Sequence, residues 1–119
     1  MKTGVRRRVF AANWKMNLSY QEAEGFIRDM RAAKLPPQAD VLIFPPALYL
    51  MRLAELAEGS TIGVGAQNIY WERSGAFTGE ISAPMIHAVD AGFVICGHSE
   101  RRHIFGESAE MVARKARAA

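Results

Sequence analysis

The chain has 119 residues, of which half are hydrophobic and 23% are charged, and its formal net charge is +3. This composition is that of a soluble globular protein and excludes a disordered or fibrous one. The length fits one domain or part of a larger one, and we predict a single unit over residues 1–119. No signal-peptide core follows Met1, and no apolar run is long enough to span a membrane.

One cysteine, Cys96, excludes an internal disulfide framework and fits a reducing compartment, so we expect a cytoplasmic protein with no membrane partner. The basic run near the start is Arg6–Arg8. An arginine cluster can bind phosphate groups, but three such residues before a strand are more often a solvated edge. We therefore expect no nucleic-acid partner.

The first strand and helix are predicted from the opening third of the chain. The apolar run "RVFAANW" predicts a strand over residues 8–14. Ser19 and Glu22 have the spacing of a capping box, in which each side chain accepts a hydrogen bond from the other's backbone N–H, so a helix begins there. Pro36 and Pro37 stop it. The helix has one apolar face, formed by Ala23, Phe26, Ile27 and Met30.

A second strand–helix unit and a third strand follow. The run "ADVLIF" predicts a strand over residues 39–44, closed by two prolines. The segment "ALYLMRLAELAE" predicts a helix with Gly59 just after its end. The glycines of "TIGVGAQ", residues 61–67, indicate a strand with close packing or a bend. The apolar face of this helix is formed by Leu50, Leu53, Ala54 and Ala57.

Residues 68–81, "NIYWERSGAFTGEI", have no sustained period and predict a long loop, which in a compact unit is usually functional. Ser82 then caps a helix that carries Pro84 near its start and is expected to end at Gly92.

The end of the chain predicts a last strand and helix. "FVIC", residues 93–96, predicts the fourth strand, with Cys96 acting as a small buried hydrophobe. "ESAEMVARKARAA", residues 107–119, predicts the final helix.

Four successive strand–helix units predict an α/β fold with a parallel sheet and right-handed crossovers. An open doubly wound sheet and a segment of an eight-stranded barrel both fit this pattern. Both architectures place functional residues at the carboxyl ends of the strands. The residues at these ends are Asn13–Lys15, Pro45–Pro46, Gln67–Asn68 and His98–Glu100.

The residues at the first and fourth strand ends suggest an anion site. Asn13 and Lys15 are two residues apart, so in extended geometry an amide and an ammonium point to the same side. A helix after His98 would bring the positive end of its dipole near the imidazole ring. Glu100 beside Lys15 would form an ion pair. Taken singly, Lys15 is more simply a solvated lysine and His98 a satisfied core or surface histidine.

Four motifs, in their order and spacing, resemble those of the triosephosphate isomerase family: "ANWKMN", "GAQN", "GAFTGEIS" and "GHSERRHIFGES". The resemblance runs from Val9 to the last residue. It implies a TIM (β/α)8 barrel, of which this chain would form a truncated (β/α)4 half barrel with parallel strands. It also implies interconversion of dihydroxyacetone phosphate and D-glyceraldehyde 3-phosphate through an enediolate, in glycolysis and gluconeogenesis, with no cofactor and no metal.

The resemblance also assigns roles at the strand ends. Asn13 and Lys15 match the substrate-binding pair, and Lys15 would offset the charge of the phosphate and of the enediolate. His98 matches the electrophile that polarises the substrate carbonyl; this enzyme is itself the type case of a neutral histidine opposite a glutamate base. Glu100 matches the acid that pairs with the lysine, and Ser99 supports that pair. The implied catalytic residues are thus His98, Lys15 and Glu100, and the implied substrate-binding residues are Asn13, Lys15 and Ser99.

The same resemblance implies a homodimer. Gln67 and the loop tip around Thr78 match positions that the family uses at its subunit interface. There the loop of one subunit inserts near the active site of the other, and Met16 corresponds to part of the receiving pocket.

Some parts of the family's active site have no counterpart in these residues. The catalytic glutamate follows the sixth strand, and the phosphate-binding glycine loops come later still. No other glutamate replaces it, because Glu100 pairs with Lys15, Glu80 lies in the interface loop, and Glu107 and Glu110 fall along the last helix. We therefore expect negligible isomerase activity from the chain alone. The unpaired edges of the first and fourth strands predict self-association or a complementary half barrel.

Two other interpretations remain open. A non-catalytic half barrel would use the 68–81 loop for assembly or binding, although an interface alone has no use for the polar residues at the strand ends. An unrelated phosphate-binding α/β domain is weakly supported, because "GVGAQN" lacks the third glycine of a dinucleotide motif. His98 and His103 are five apart, a poor spacing for a shared metal on one helix face.

Overall fold

The computed structural model describes residues 6–119, so residues 1–5 of the predicted unit lie outside the described residues. Strands and helices alternate along the chain, which confirms the predicted α/β class. The strands are β1 (Arg8–Asn13), β2 (Ala39–Phe44), β3 (Ile62–Ala66) and β4 (Phe93–Val94). The helices are α1 (Tyr20–Ala32), α2 (Leu50–Ala57), α3 (Ala83–Ala88), α4 (Ser99–His103) and α5 (Ala109–Ala118), with a 3₁₀ turn at Ala47–Tyr49 before α2.

The strands form one parallel sheet in the order β1-β2-β3-β4, the half barrel that the sequence predicts. Arg8 lies opposite Ala39 and Asn13 opposite Phe44, so β1 and β2 pair over their whole length. Since all the strands run the same way, their carboxyl ends meet at one rim of the sheet. That rim carries the candidate site residues.

Two glycines of β3 allow the neighbouring strands to pack closely. A Cβ at Gly63 would lie 2.6 Å from a methyl carbon of Leu42 and 2.8 Å from the ring of Phe93. A Cβ at Gly65 would lie 2.6 Å from the ring of Phe44. The missing side chains therefore make room for large residues of β2 and β4 over the middle of the sheet.

Helix α1 begins as predicted. The backbone N–H of Glu22 donates to Ser19 Oγ at 3.2 Å, and the backbone N–H of Ser19 donates to Glu22 Oε2 at 2.8 Å, which completes the capping box. The hydrogen bond from the Ser19 backbone lowers the pKa of Glu22 below its ordinary value. On the apolar face Ala23 and Ile27 are fully buried, whereas Phe26 is partly exposed at the margin.

The core lies between the sheet and the helices that cover it. Helix α2 contributes Leu50, Leu53 and Ala57, and Gly59 at φ +74° follows it, as predicted from its place after the helix. The core residues are Trp14, Ala23, Ile27, Ile43, Leu50, Leu53, Ala57, Ile62, Val64, Ala66, Ile69, Ile86 and Ala91.

The predicted end of α3 is wrong. The helix begins after its N-cap Ser82 as expected, but it ends at Ala88 rather than at Gly92. Asp90, at φ +60°, makes the turn, because a short polar side chain tolerates the left-handed conformation. Gly92 instead donates its backbone N–H to the carbonyl oxygen of Val64 at 3.2 Å and so leads into the sheet.

The predicted fourth strand, residues 93–96, is too long. Only Phe93–Val94 pair as a strand, although the N–H of Ile95 still donates to the carbonyl oxygen of Ala66 at 2.9 Å. The chain then turns away at Gly97, which has φ +68°. Cys96 therefore lies beyond the strand and is partly buried; burial raises the pKa of its thiol.

The final helix also starts later than predicted. It begins at Ala109, and its N-cap Ser108 accepts a hydrogen bond from the backbone N–H of Met111 at 3.2 Å. Glu107 therefore precedes the helix, contrary to the expectation that it falls along it. The predicted loop at 68–81 is confirmed, with one bridge between Tyr70 and Ser82.

Both outer strands have a free edge among the described residues. Strand β1 pairs only with β2, and β4 pairs only with β3. Large apolar side chains are exposed there, notably Val9, Phe10 and Phe93. Across residues 6–119, no helix has the length and apolar character needed to cross a membrane.

Candidate active site

An ion pair joins the two ends of the sheet at the carboxyl rim. Lys15 follows β1, Glu100 lies in the first turn of α4 after β4, and Lys15 Nζ is 2.7 Å from Glu100 Oε1. Their side chains are 52% and 40% exposed, respectively. The pair predicted from the sequence is therefore present, and it is open to solvent. It brings the residues that follow β1 and β4 together at the carboxyl rim of the sheet, which we call the mouth.

The segment from Asn13 to Lys15 is not extended, which corrects the same-side argument from spacing. Strand β1 ends at Asn13, and Lys15 has φ +56°, a left-handed conformation that costs a residue with a Cβ on the order of 1 kcal/mol or more. The backbone N–H of Lys15 donates to Asn13 Oδ1 at 2.9 Å and stabilises this turn. The Nδ2 group is the only hydrogen-bond donor of the Asn13 side chain, so it is the group through which Asn13 can donate to a ligand.

Hydrogen bonds from Gln67 connect the ends of β1, β2 and β3, a role that sequence reasoning missed. Its Nε2 donates to the carbonyl oxygen of Lys15 at 2.8 Å and to that of Phe44 at 2.9 Å. The resemblance placed Gln67 at a subunit interface; within the chain, its side chain donates to the backbone just after β1 and to that of the last residue of β2. An amide directly after a central strand was the available signal.

His98 is fixed by the helix that follows it. It is the N-cap residue of α4, and its Nδ1 accepts a hydrogen bond from the backbone N–H of Glu100 at 3.1 Å. An N–H donor requires a lone pair on Nδ1, so this hydrogen bond assigns the ring proton to Nε2. Glu100 Oε2 also lies 3.6 Å from Nδ1, but an atom without a proton forms no ion pair there. The ring therefore retains an Nε2–H donor.

Glu100 is held as a carboxylate. The hydrogen bond from the Lys15 ammonium lowers the pKa of Glu100 below its ordinary value, and the charge of Lys15 acts in the same direction against partial desolvation. The Glu100 carboxylate is therefore ionised and paired with Lys15 at neutral pH. Ser99, the remaining predicted residue of this group, lies exposed at the first position of α4.

A buried charged cluster lies behind this rim, and sequence reasoning missed it. Glu107 Oε2 accepts a hydrogen bond from Arg101 Nε at 2.6 Å and forms an ion pair with Lys115 Nζ at 3.0 Å. Lys115 Nζ also donates to Asn68 Oδ1 at 2.8 Å. The side chains of Lys115 and Glu107 are only 3% and 1% exposed. We call Asn68, Arg101, Glu107 and Lys115 the buried network.

The electrostatics of the buried network favour an ionised Glu107. Burial raises the pKa of Glu107, but hydrogen bonds from Arg101 and Lys115, together with their charges, outweigh it, so that the pKa lies below its ordinary value. The sequence signal was the position of Lys115, three residues after Val112 on the inward face of α5. A lysine at such a position needs a buried partner.

Two of the residues that the resemblance assigns to a subunit interface, Met16 and Thr78, are exposed. Met16 is 94% exposed, and Thr78 is exposed near the tip of the 68–81 loop. An aromatic cluster supports that loop, with the rings of Tyr70 and Phe77 4.5 Å apart and those of Tyr70 and Trp71 4.2 Å apart. Over residues 6–119, no group of three His, Cys, Asp or Glu side chains could hold a metal ion.

Comparison with known proteins accounts for this arrangement. The family model described as triosephosphate isomerase matches residues 8–119. The chain belongs to the triosephosphate isomerase family. Its half barrel is therefore part of the fold of that family, as the motifs predict.

Individual relatives give the extent of the match. The triosephosphate isomerase of Rubrobacter xylanophilus is 50% identical over 118 residues, which cover 98% of this chain and 46% of that protein. That of Aquifex aeolicus is 46% identical over 110 residues, covering 92% and 44%, respectively. That of Acetivibrio thermocellus is 43% identical over 114 residues, covering 96% and 45%. The chain thus spans about half the length of the curated relatives that it matches.

Proposed function

We propose that the chain contributes the amino-terminal part of the active site of a triosephosphate isomerase. The reaction is the interconversion of dihydroxyacetone phosphate and D-glyceraldehyde 3-phosphate by proton transfer through an enediolate, in cytoplasmic glycolysis and gluconeogenesis. One observation carries the proposal: Lys15 Nζ lies 2.7 Å from Glu100 Oε1, which joins the β1 end to the α4 segment that His98 caps.

Lys15 supplies positive charge to the substrate. Its ammonium group has three N–H donors, and the ion pair with Glu100 uses one while it holds the head group at the rim. Because the side chain is half-exposed, the remaining donors are accessible to the phosphate and to the enediolate oxygen. Asn13 Nδ2 adds a neutral donor beside it. Fixed donors of this kind stabilise charge that develops in the transition state.

His98 polarises the substrate carbonyl in this proposal. The Glu100 backbone N–H occupies Nδ1, so the ring offers its Nε2–H as donor to the carbonyl oxygen. Removal of the α-proton moves negative charge to that oxygen, and the hydrogen bond becomes stronger as the charge develops. Triosephosphate isomerase is the type case of such a neutral imidazole electrophile.

The base that removes the α-proton lies outside these residues in our proposal. Glu100 is paired with Lys15, and Glu107 is buried between Arg101 and Lys115. A positioned general base contributes about 10²- to 10⁴-fold to the rate. We therefore propose that residues 1–119 alone have negligible isomerase activity; turnover that His98→Ala abolishes would overturn this.

We propose that this unit works in an assembly, either a homo-oligomer or a pairing with a complementary half barrel. The free edges of β1 and β4 support this, because unpaired strand edges with exposed apolar side chains favour association. Met16, Gln67 and Thr78 are the proposed interface residues. A monodisperse monomer of residues 1–119 in light scattering would contradict self-association.

The experiment that tests the proposed function completes the barrel. Residues 1–119 are fused to the remainder of the Rubrobacter xylanophilus relative outside the matched region; we call this fusion the joined protein. We expect turnover of D-glyceraldehyde 3-phosphate, and we expect His98→Ala to lower kcat about 10²- to 10⁴-fold. His103→Ala, at the other end of α4 and exposed, is the matched control and should leave kcat unchanged.

Two outcomes would refute the proposed function. One is a folded joined protein without turnover, which is the result expected of a non-catalytic half-barrel module. The other is turnover that His98→Ala and His103→Ala affect equally.

A further inference from the structure

The buried network connects the two sides of the mouth from behind. Arg101, at one end, is the residue after Glu100, whose backbone N–H holds His98 Nδ1. Asn68, at the other end, is the residue after Gln67, whose side chain holds the carbonyl oxygen of Lys15. Two hydrogen bonds, Arg101 to Glu107 and Lys115 to Asn68, and the ion pair between Glu107 and Lys115 join these ends, each at 3.0 Å or less.

Packing reinforces this connection at the turn before His98. A Cβ at Gly97 would lie 2.5 Å from a methyl carbon of Val112, so α5 packs directly against the backbone of that turn. Val112 and Lys115 are three residues apart and lie on the same side of α5. The helix therefore supports His98 by van der Waals contact and α4 by the charged side chains.

The exposed Lys15–Glu100 pair at the mouth does not by itself hold α4 in a fixed position. An ion pair in contact with water is weakened by solvent and by the entropy of two long side chains. Between Glu107 and Lys115 solvent hardly competes, because their side chains are only 1% and 3% exposed, and the loss of one partner leaves an unpaired buried charge. The Glu107–Lys115 pair is therefore the harder of the two pairs to break.

Stability alone does not account for the buried network. Replacing a buried ion pair with apolar side chains of similar volume is often neutral or stabilising. Here the carboxylate is also incompletely satisfied, since Glu107 Oε1 is buried and has no hydrogen-bond partner among residues 6–119. An apolar pair would be expected to serve stability as well or better, which points to a role in geometry.

We propose that Glu107 and Lys115 are positioning residues of the isomerase site: they fix α4 relative to the segment after β3, so that His98 and Lys15 meet one substrate. This inference rests on the proposed function. It predicts that removal of the charges changes the orientation of His98 even where the fold is retained.

The test is the double variant Glu107→Met/Lys115→Met of the joined protein, which replaces the pair with apolar side chains. We expect a melting temperature at or near that of the parent, a kcat lower by up to about 100-fold, and a smaller change in KM. In ¹⁵N NMR of labelled histidine, the Nε2–H form of His98 should give way to a mixture of tautomers. The control is Glu110→Met/Arg114→Met, which removes an exposed ion pair from the same helix.

Each result decides the proposal. Parental kcat together with an unchanged His98 tautomer in the double variant would overturn it, as would equal losses in the control. If the double variant does not fold, Asn68→Ala replaces it, because that change removes one hydrogen bond and leaves the ion pair. A joined protein without turnover would instead refute the proposed function, and the His98 spectra would still decide whether the network positions the ring.

Discussion

Two lysine–glutamate pairs in this chain have similar geometry and opposite surroundings. Lys15 and Glu100 are 2.7 Å apart with side chains 52% and 40% exposed, whereas Lys115 and Glu107 are 3.0 Å apart with side chains 3% and 1% exposed. Water weakens the first pair and leaves its charge accessible to a ligand. The side chains of the second pair are shielded from solvent, so breaking that pair would leave an uncompensated buried charge. This cost keeps the geometry of the second pair fixed. The chain therefore has one lysine–glutamate pair that solvent and ligands can reach and one that is shielded from both.

The largest contrast is expected in activity. In the joined protein, Lys15→Met should lower kcat/KM about 10²- to 10³-fold, because it removes a fixed cationic donor from the developing negative charge. The melting temperature should hardly change, since the lysine pair is half-exposed. Steady-state kinetics and calorimetry measure both quantities. Lys34→Met, at an exposed lysine, is the control; similar kinetics in the two variants would contradict the assignment.

The next contrast is expected in stability. Glu107→Gln in the joined protein should lower the free energy of unfolding by about 3–5 kcal/mol, because it leaves the Lys115 charge buried without a counter-charge. Glu110→Gln changes the same functional group at an exposed position of α5 and should have no measurable effect. Urea denaturation compares the variants. Equal stabilities would mean that the buried pair is not held as the structure has it.

A smaller effect is expected in the pH dependence of stability. Glu107 and Glu100 both have a pKa below the ordinary value of 4.5 in the folded chain, so the unfolded chain binds more protons in this range. Their contribution is complete above about pH 4.5 and is lost as the pH falls through the folded pKa. Glu107→Gln should flatten this acid limb more than Glu100→Gln does. Urea unfolding from pH 6 to pH 3 measures it; a larger effect of Glu100→Gln would reverse the comparison.

The features that the sequence predicts well depend on neighbouring residues. The capping box of Ser19 and Glu22 spans three positions, and Gly59 marks the end of α2 through its own backbone conformation. The wrong boundaries arose where a local signal had a competitor. Asp90 made the turn expected of Gly92, because its short side chain also tolerates a positive φ.

The candidate site was less accessible to such reasoning. Periodicity alone does not pair Lys15 with Glu100; that contact was predicted because the ends of parallel strands meet at one edge, and the resemblance implies the same pair. The hydrogen bond from Gln67 to the Lys15 backbone spans 52 residues, and that from Lys115 to Asn68 spans 47. Contacts at such separations depend on how the sheet and α5 pack, which no local pattern of the sequence specifies.

A ligand titration of the joined protein tests most directly whether Lys15 and His98 contact the same ligand. Dihydroxyacetone phosphate is added while the NMR signals of His98 Nε2 and of the Lys15 side chain are followed. We predict that both signals shift along one saturation curve with a single Kd, and that Lys15→Met weakens the response of His98. Shifts at only one of the two residues, or two unrelated saturation curves, would contradict the account.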